Sequence, residues 1–281
     1  MADLLSLELH LRFAEESPPG ERPMPGWWGE AAHRLAIATL AGQDDAFARQ
    51  LDASAGLKPF TASNLRGPFT GGRPDPAALY KLRLTALDAR VAGMFAAARE
   101  TGSLRDGEAV ELDFLRFEVR SQAGQDGRQT STYQSLANAL FAPAPPPRRL
   151  ALHFTSPTVF KSDGRQLPFP LPDLVFGSLL EHWNASDSAP TPLPAEARKY
   201  ARECLRPGRF DLRSRFLRLH GEPFRGFTGR VTFHTLNYDR YWMGMMAMLA
   251  EYAFYAGVGA KTTMGLGQCR LLPEPPAPAA A

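Results

Sequence analysis

Residues 256–270 read AGVGAKTTMGLGQCR, with glycines at 257, 259, 265 and 267 forming two Gly-x-Gly pairs around Lys261, Thr262 and Thr263. Glycine reaches positive φ without strain and lets another backbone approach closely, so this density predicts main-chain amides turned toward an anionic ligand. The pattern is not a Walker loop, since G-x-x-x-x-G-K-[ST] is absent. Nor is it a dinucleotide fingerprint, because the glycines follow an apolar helix instead of opening one. That helix is the stretch Asp239 to Tyr255, which carries YWMGMMAMLAEYAFY, and Gln268 to Leu272 reads as a short closing strand.

Working outward, Leu150 to Thr155 alternates as a strand, and helices are expected over Asp173 to Trp183 and Glu196 to Leu205. Phe210 to Leu219 and Phe227 to Leu236 form a hairpin joined by HGEPFRG. Before the proline run APAPPPRR, Ala142 to Arg149, which continues neither a helix nor a central strand, the same order occurs once more. Leucines at 5, 7, 9 and 11 mark a strand from Leu4 to Phe13, and Trp28 to Ala41 suits a helix. Lys58 to Asn64 and Tyr80 to Thr85 are strands, Asp88 caps a helix running to Arg99, and Asp113 to Ser121 alternates again. Each half is therefore βαββαβ, the second with an extra helix, and the chain is α+β with two tandem ferredoxin-like units. The expected boundaries are 1–145, 146–272 and a disordered tail over 273–281.

A chain of 281 residues with 44% hydrophobic and 22% charged residues has ample material for buried cores. The formal charge is +3, yet Glu196 to Arg230 holds ten Lys or Arg against four Asp or Glu. Such a run tracks a phosphate backbone or simply forms a solvated face. Two cysteines, Cys204 and Cys269, cannot build a disulfide framework or a four-ligand zinc site. No signal-peptide pattern and no apolar run of spanning length is present, so a cytoplasmic location is expected.

Four further segments bear on family. They are PGWWGEAAHRLAIATL, KPFTASNL, LYKLRLTALD and LHFTSPTVFK. Together with the terminal glycine loop they resemble, in order, the CRISPR-associated endoribonucleases of the repeat-associated mysterious protein (RAMP) superfamily, from about Leu4 to Leu272. The resemblance implies two ferredoxin-like domains and cleavage of precursor repeat RNA. Its implied partner is CRISPR repeat RNA, in precursor and mature guide form. CRISPR effector subunits and a second copy of the chain are further partners it allows. It implies no cofactor.

Metal-independent RNA cleavage needs a base for the ribose 2′-OH, an acid for the departing 5′-oxygen and cations for the phosphorane charge. The family takes its histidine from the first helix, the position of His33 here. By spacing alone, His33 shares a helical face with Ile37 and Leu40 and reads more readily as a core histidine. Lys58 and Lys261 are the candidate electrostatic partners. The RNA-binding candidates are Gly257, Gly259, Lys261, Thr262, Thr263, Gly265 and Gly267 in the loop and Arg213, Arg215, Arg230 and His234 on the hairpin. Trp28, beside Trp27, is a candidate for stacking on a base or for packing on the first sheet. No histidine pair or carboxylate cluster has metal-ligand spacing. A repeat-binding subunit that does not cut, and a protein-interaction subunit with a merely basic face, are the rival readings.

Overall fold

The computed structural model describes residues 2–16, 24–70, 73–121, 127–162 and 164–273. Most of the expected tail, residues 274–281, lies outside them. The first half contains β1 (Leu4–Glu16), α1 (Gly29–Ala41), α2 (Asp45–Ala53), β2 (Phe60–Ala62), β3 (Phe69–Thr70), β4 (Arg73–Pro74), β5 (Leu79–Ala86), α3 (Ala89–Glu100), β6 (Ala109–Leu112), β7 (Leu115–Arg120), β8 (Arg128–Ser131) and α4 (Tyr133–Asn138). The second contains β9 (Arg149–Thr158), β10 (Phe160–Ser162), β11 (Arg165–Leu167), α5 (Pro172–Asn184), α6 (Glu196–Cys204), β12 (Leu205–Leu219), β13 (Glu222–Thr235), α7 (Arg240–Ala256) and β14 (Cys269–Leu271).

The first sheet runs β2-β5-β1-β7-β6, with β8 also pairing β1, and all of its ladders are antiparallel. Without the edge strand β6 this is the strand order of one ferredoxin-like unit. Register follows from the leucine alternation: Leu7 lies opposite Leu84 and Leu9 opposite Leu82, all buried under the helices. A shift of one residue would turn this row into solvent, so the apolar period specifies the pairing. The intervening Ser6, Glu8 and His10 are thereby assigned to the helix-free face. The second sheet, β12-β13-β9-β14, repeats the order. Its Leu150, Leu152 and Phe154 pack with Val231, Phe233 and the α7 methionines, while His153 and Arg230 stand paired on the other face.

Asp88 caps α3 by accepting a 2.7 Å hydrogen bond from Val91 N, as its position predicts. Four features depart from the sequence reading. Helix α2 was not expected; Asp44 starts it by accepting from Phe47 N at 3.0 Å. The hairpin is longer than its apolar stretches, turning at His220–Gly221 and not across HGEPFRG, because backbone pairing continues from Leu219–Glu222 to Leu205–Thr235. Helix α6 correspondingly ends at Cys204. The boundary between cores falls before the proline run: Tyr133 and Leu136 of α4, with Leu4 and Leu87, pack into the second core.

The two halves are hydrogen-bonded to one another. Thr85 Oγ1 donates to the Tyr255 carbonyl at 2.8 Å, and Ser186 Oγ donates to the Leu87 carbonyl at 2.8 Å. This contact brings the glycine loop, which follows α7, against the start of α1.

Candidate active site

Gly257, Gly259, Gly265 and Gly267 all have positive φ, and Lys261 is also left-handed at φ 60°. The space around the glycines corrects the expectation of an open amide cradle. A Cβ on Gly267 would lie 2.2 Å from the Val258 carbonyl oxygen, and one on Gly259 would lie 2.5 Å from that of Val159. The close approach is to the protein's own backbone. The amides are used internally as well: Val258 N donates to Gly267 O, Ala260 N to Val159 O, and Gly259 N to Ser178 Oγ at 2.8 Å. Thr262 to Met264 form a 3₁₀ turn, which by its geometry leaves the amides of Lys261, Thr262 and Thr263 without a partner inside the turn. Thr262 is buried, whereas Lys261 and Thr263 are half-buried.

This loop is docked on α1. Trp27 Nε1 donates to the Met264 carbonyl at 2.7 Å, Gly265 bridges to Ser63, and Trp28 N donates to Asn64 Oδ1 at 2.7 Å. Gly29 opens α1 beneath the loop, where a Cβ would meet Met264 O at 1.8 Å. The second domain thus reaches across to the first turn of the helix that carries His33.

His33 is 7% exposed. Its Nε2 lies 3.0 Å from Asp52 Oδ1 of α2, its ring stacks on Phe60 with centroids 5.5 Å apart, and its buried Nδ1 has no hydrogen-bond partner. It is therefore packed, as the core reading predicts, yet its Nε2 edge faces a carboxylate that is 55% exposed. Lys58 is placed differently from the sequence expectation. Its ammonium donates to the carbonyls of Leu51 (2.6 Å), Asp52 (3.0 Å) and Ser54 (3.0 Å), closing the C-terminus of α2. Burial lowers its pKa, and the Lys261 charge adds to that against the opposing Asp52.

Trp28 is not offered to a base. It is 3% exposed, stacked on Phe69 and edge-on to Phe117 in the first core. Trp27 takes the open position, lining a cleft of about 990 Å³ between α1 and the second sheet. Glu30, Arg34, His153, Arg215 and Arg218 also line it; His33, on the neighbouring face of α1, does not. The tip of the hairpin closes one end, where Glu30 accepts from His220 N at 2.6 Å. Arg213, Arg215 and Arg230 are exposed, and among the described residues none has a carboxylate within salt-bridge distance. His234 is half-buried on the same face of β13 as Arg230, across from Arg149 in register.

A family model described as "CRISPR-associated endoribonuclease Cas6" matches residues 152–269. Over nearly the whole chain, the product complex of a Thermus thermophilus Cas6 superposes with a TM-score of 0.75 at 25% identity, covering 97% of this chain and 100% of that one. The chain is similar to Cas6 endoribonucleases over most of its length. A second Cas6 product complex is 27% identical over 96% of this chain and 99% of its own, with a TM-score of 0.73. The Cas6 of Mycobacterium tuberculosis is 25% identical over 194 residues, 68% of this chain and 61% of its own length, so the match spans about three fifths of that relative. The tandem ferredoxin-like fold is thereby established for this chain.

Among its described residues no helix is long and apolar enough to cross a membrane, and no three His, Cys, Asp or Glu side chains are grouped to hold a metal ion. Two site features lay beyond the sequence reading. Asp52 comes from a helix whose short apolar period hid it, and the Glu30–His220 contact joins residues 190 positions apart.

Proposed function

We propose that this chain is an endoribonuclease of the Cas6 kind that cuts CRISPR repeat RNA in precursor transcripts to release guide RNAs. The RNA 2′-OH attacks the adjacent phosphate, leaving a 2′,3′-cyclic phosphate and a 5′-hydroxyl, without a metal ion. His33 transfers a proton through Nε2, exchanging its Asp52 contact for the RNA. Lys261, with the outer amides of its turn, neutralises charge developing on the phosphorane. Lys58 holds the end of α2, and so the carboxylate that orients His33, instead of touching phosphate. The unpaired hairpin arginines grip the RNA backbone in the cleft beside Trp27.

The observation that carries this reading is the docking of the Lys261 loop from one domain onto the helix of the other that bears His33. The likeness to Cas6 endoribonucleases and to two Cas6 product complexes supports it. One observation favours a repeat-binding subunit instead: the imidazole is buried and already engaged by Asp52. A labelled repeat RNA separates the two readings. Cleavage that persists in excess EDTA and vanishes when a 2′-deoxy sugar precedes the scissile phosphate is the expected result. Tight binding without cleavage assigns the chain to the binding role.

A further inference from the structure

Helix α1 carries His33 but has no cap of its own. Its N-cap position is filled by Trp28, at φ −94° and ψ 0°, whose side chain offers no acceptor to the first turn. The other helices of the first half start on a local oxygen: Asp44 caps α2, Asp88 caps α3 and Thr132 caps α4. For α1 the oxygen comes from a different segment. Trp28 N donates to Asn64 Oδ1 at 2.7 Å, across 36 positions of sequence. Trp28 is buried, so its amide depends on that acceptor.

Asn64 stands on a fixed support. Just before it, Ser63 N donates to the Arg83 carbonyl and Arg83 N donates to Ser63 Oγ, both at 2.8 Å. Ser63 also bridges in parallel to Gly265 of the glycine loop. A Cβ on Gly265 would lie 2.9 Å from Asn64 N, so the loop passes directly against this residue. Trp27, the neighbour of Trp28, is tied to the same loop through Met264 O. One side chain therefore stands where the end of β2, the start of α1 and the loop bearing Lys261 meet.

Over this distance α1 is a rod. His33 lies five residues beyond Trp28, about 7.5 Å along the axis at about 1.5 Å per residue, so a shift at the helix start is carried to the imidazole. A displacement of about 1 Å between reacting groups lowers rate by roughly 10². Asn64 does not line the cleft beside Trp27, so its effect on the chemistry passes through α1.

We propose that Asn64 is a positioning residue for proton transfer at His33: its side-chain carbonyl sets the start of α1 against the Lys261 loop, and so the reach of His33 Nε2 toward the scissile phosphate. This role rests on the nuclease reading of the same site.

The experiment compares wild type, Asn64→Leu, Asn64→Asp and Tyr133→Phe in the full chain. Leucine keeps the size of the side chain and removes the acceptor, whereas aspartate keeps an acceptor oxygen at the same reach. Tyr133→Phe is the control for stability alone, since it removes a buried hydroxyl that lies 2.9 Å from the Tyr252 hydroxyl in the second core. Single-turnover cleavage of labelled repeat RNA at saturating protein, repeat affinity by filter binding and thermal melting are measured on each. Asn64→Leu should cut roughly 10- to 100-fold more slowly at saturation with affinity within about threefold, and Asn64→Asp should recover the rate to within about threefold of wild type. Tyr133→Phe should melt earlier than wild type and cut at the wild-type rate. A wild-type rate in Asn64→Leu, a loss confined to affinity, or an equal loss in Asn64→Asp overturns the positioning role while the nuclease reading stands. Cleavage slowed as much in Tyr133→Phe as in Asn64→Leu reduces the effect to stability and overturns the role as well. Wild-type protein that binds the repeat without cutting it overturns the nuclease reading, and the role of Asn64 with it.

Discussion

Replacing Gly29 by Ala adds one methyl group at the seam between the domains. The new Cβ would lie 1.8 Å from Met264 O and 2.4 Å from Trp27 Nε1, so the glycine loop must retreat from α1 by more than 1 Å. That retreat breaks the 2.7 Å bond from Trp27 Nε1 to Met264 O and leaves a half-buried indole donor unpaired. Loss of the bond with its donor stranded costs about 1–3 kcal/mol, and overpacking a contact of this kind costs about 1–3 kcal/mol more. The expected loss is therefore about 2–6 kcal/mol, or roughly 5–20 °C in melting temperature for a chain of this size. A displacement of about 1 Å at a catalytic group lowers rate by roughly 10², so single-turnover cleavage of repeat RNA should fall with it. Helix propensity alone points the other way, since Ala in place of Gly stabilises a helix by about 0.5–1 kcal/mol. Melting within 2 °C of wild type together with undiminished cleavage would refute the claim that loop docking on α1 builds the site.

Lys58→Met should lower stability by about 1 kcal/mol through loss of the α2 C-terminal cap, with repeat-RNA affinity unchanged; weakened binding at unchanged stability would return Lys58 to the RNA surface. Arg213→Ala combined with Arg215→Ala should reduce the slope of log affinity against log salt by about 2, read by filter binding between low and moderate salt; an unchanged slope removes the hairpin from the interface. Burial holds the His182 pKa below that of a free histidine, opposed by its Ser178 and Glu181 neighbours. The unfolded chain therefore takes up a proton there before the folded chain does, and stability that is full above pH about 6.5 falls as the pH drops below it. Melting from pH 7 to 5 should show this fall at up to about 1.4 kcal/mol per pH unit, and His182→Gln, which removes the titrating group, should flatten it; an identical slope in the variant would contradict the assignment.

The fold was legible because its evidence is periodic. The alternating leucines of β1 and the apolar face of α7 declare their partners locally, and Asp88 announces α3 through a cap three residues wide. The extent of the hairpin was not legible, because its outer residues pair by backbone and stay exposed: Phe210 is 57% and Phe216 60% exposed, so neither apolar side chain marks a buried edge. Helix α2 escaped notice because only Ala48 and Leu51 of its nine residues are buried. At the site, the sequence named candidate residues but not what each one touches. The four glycines were correctly read as positions needing positive φ, yet the close neighbour proved to be protein backbone. For Lys58 and Trp28 the sequence left two placements open for one reason: adjacency along the chain does not tell whether a long side chain turns to solvent or back onto its own domain.

The central claim is that His33 moves the proton in RNA cleavage despite its burial beside Asp52. It is tested most directly by measuring single-turnover cleavage, repeat affinity and thermal melting on one preparation of His33→Ala. The account predicts cleavage slower by roughly 10² to 10⁴, with affinity within a few-fold and melting within a few degrees of wild type. Near-normal cleavage, or lost cleavage accompanied by collapsed stability, would contradict it and leave His33 as a packed core histidine.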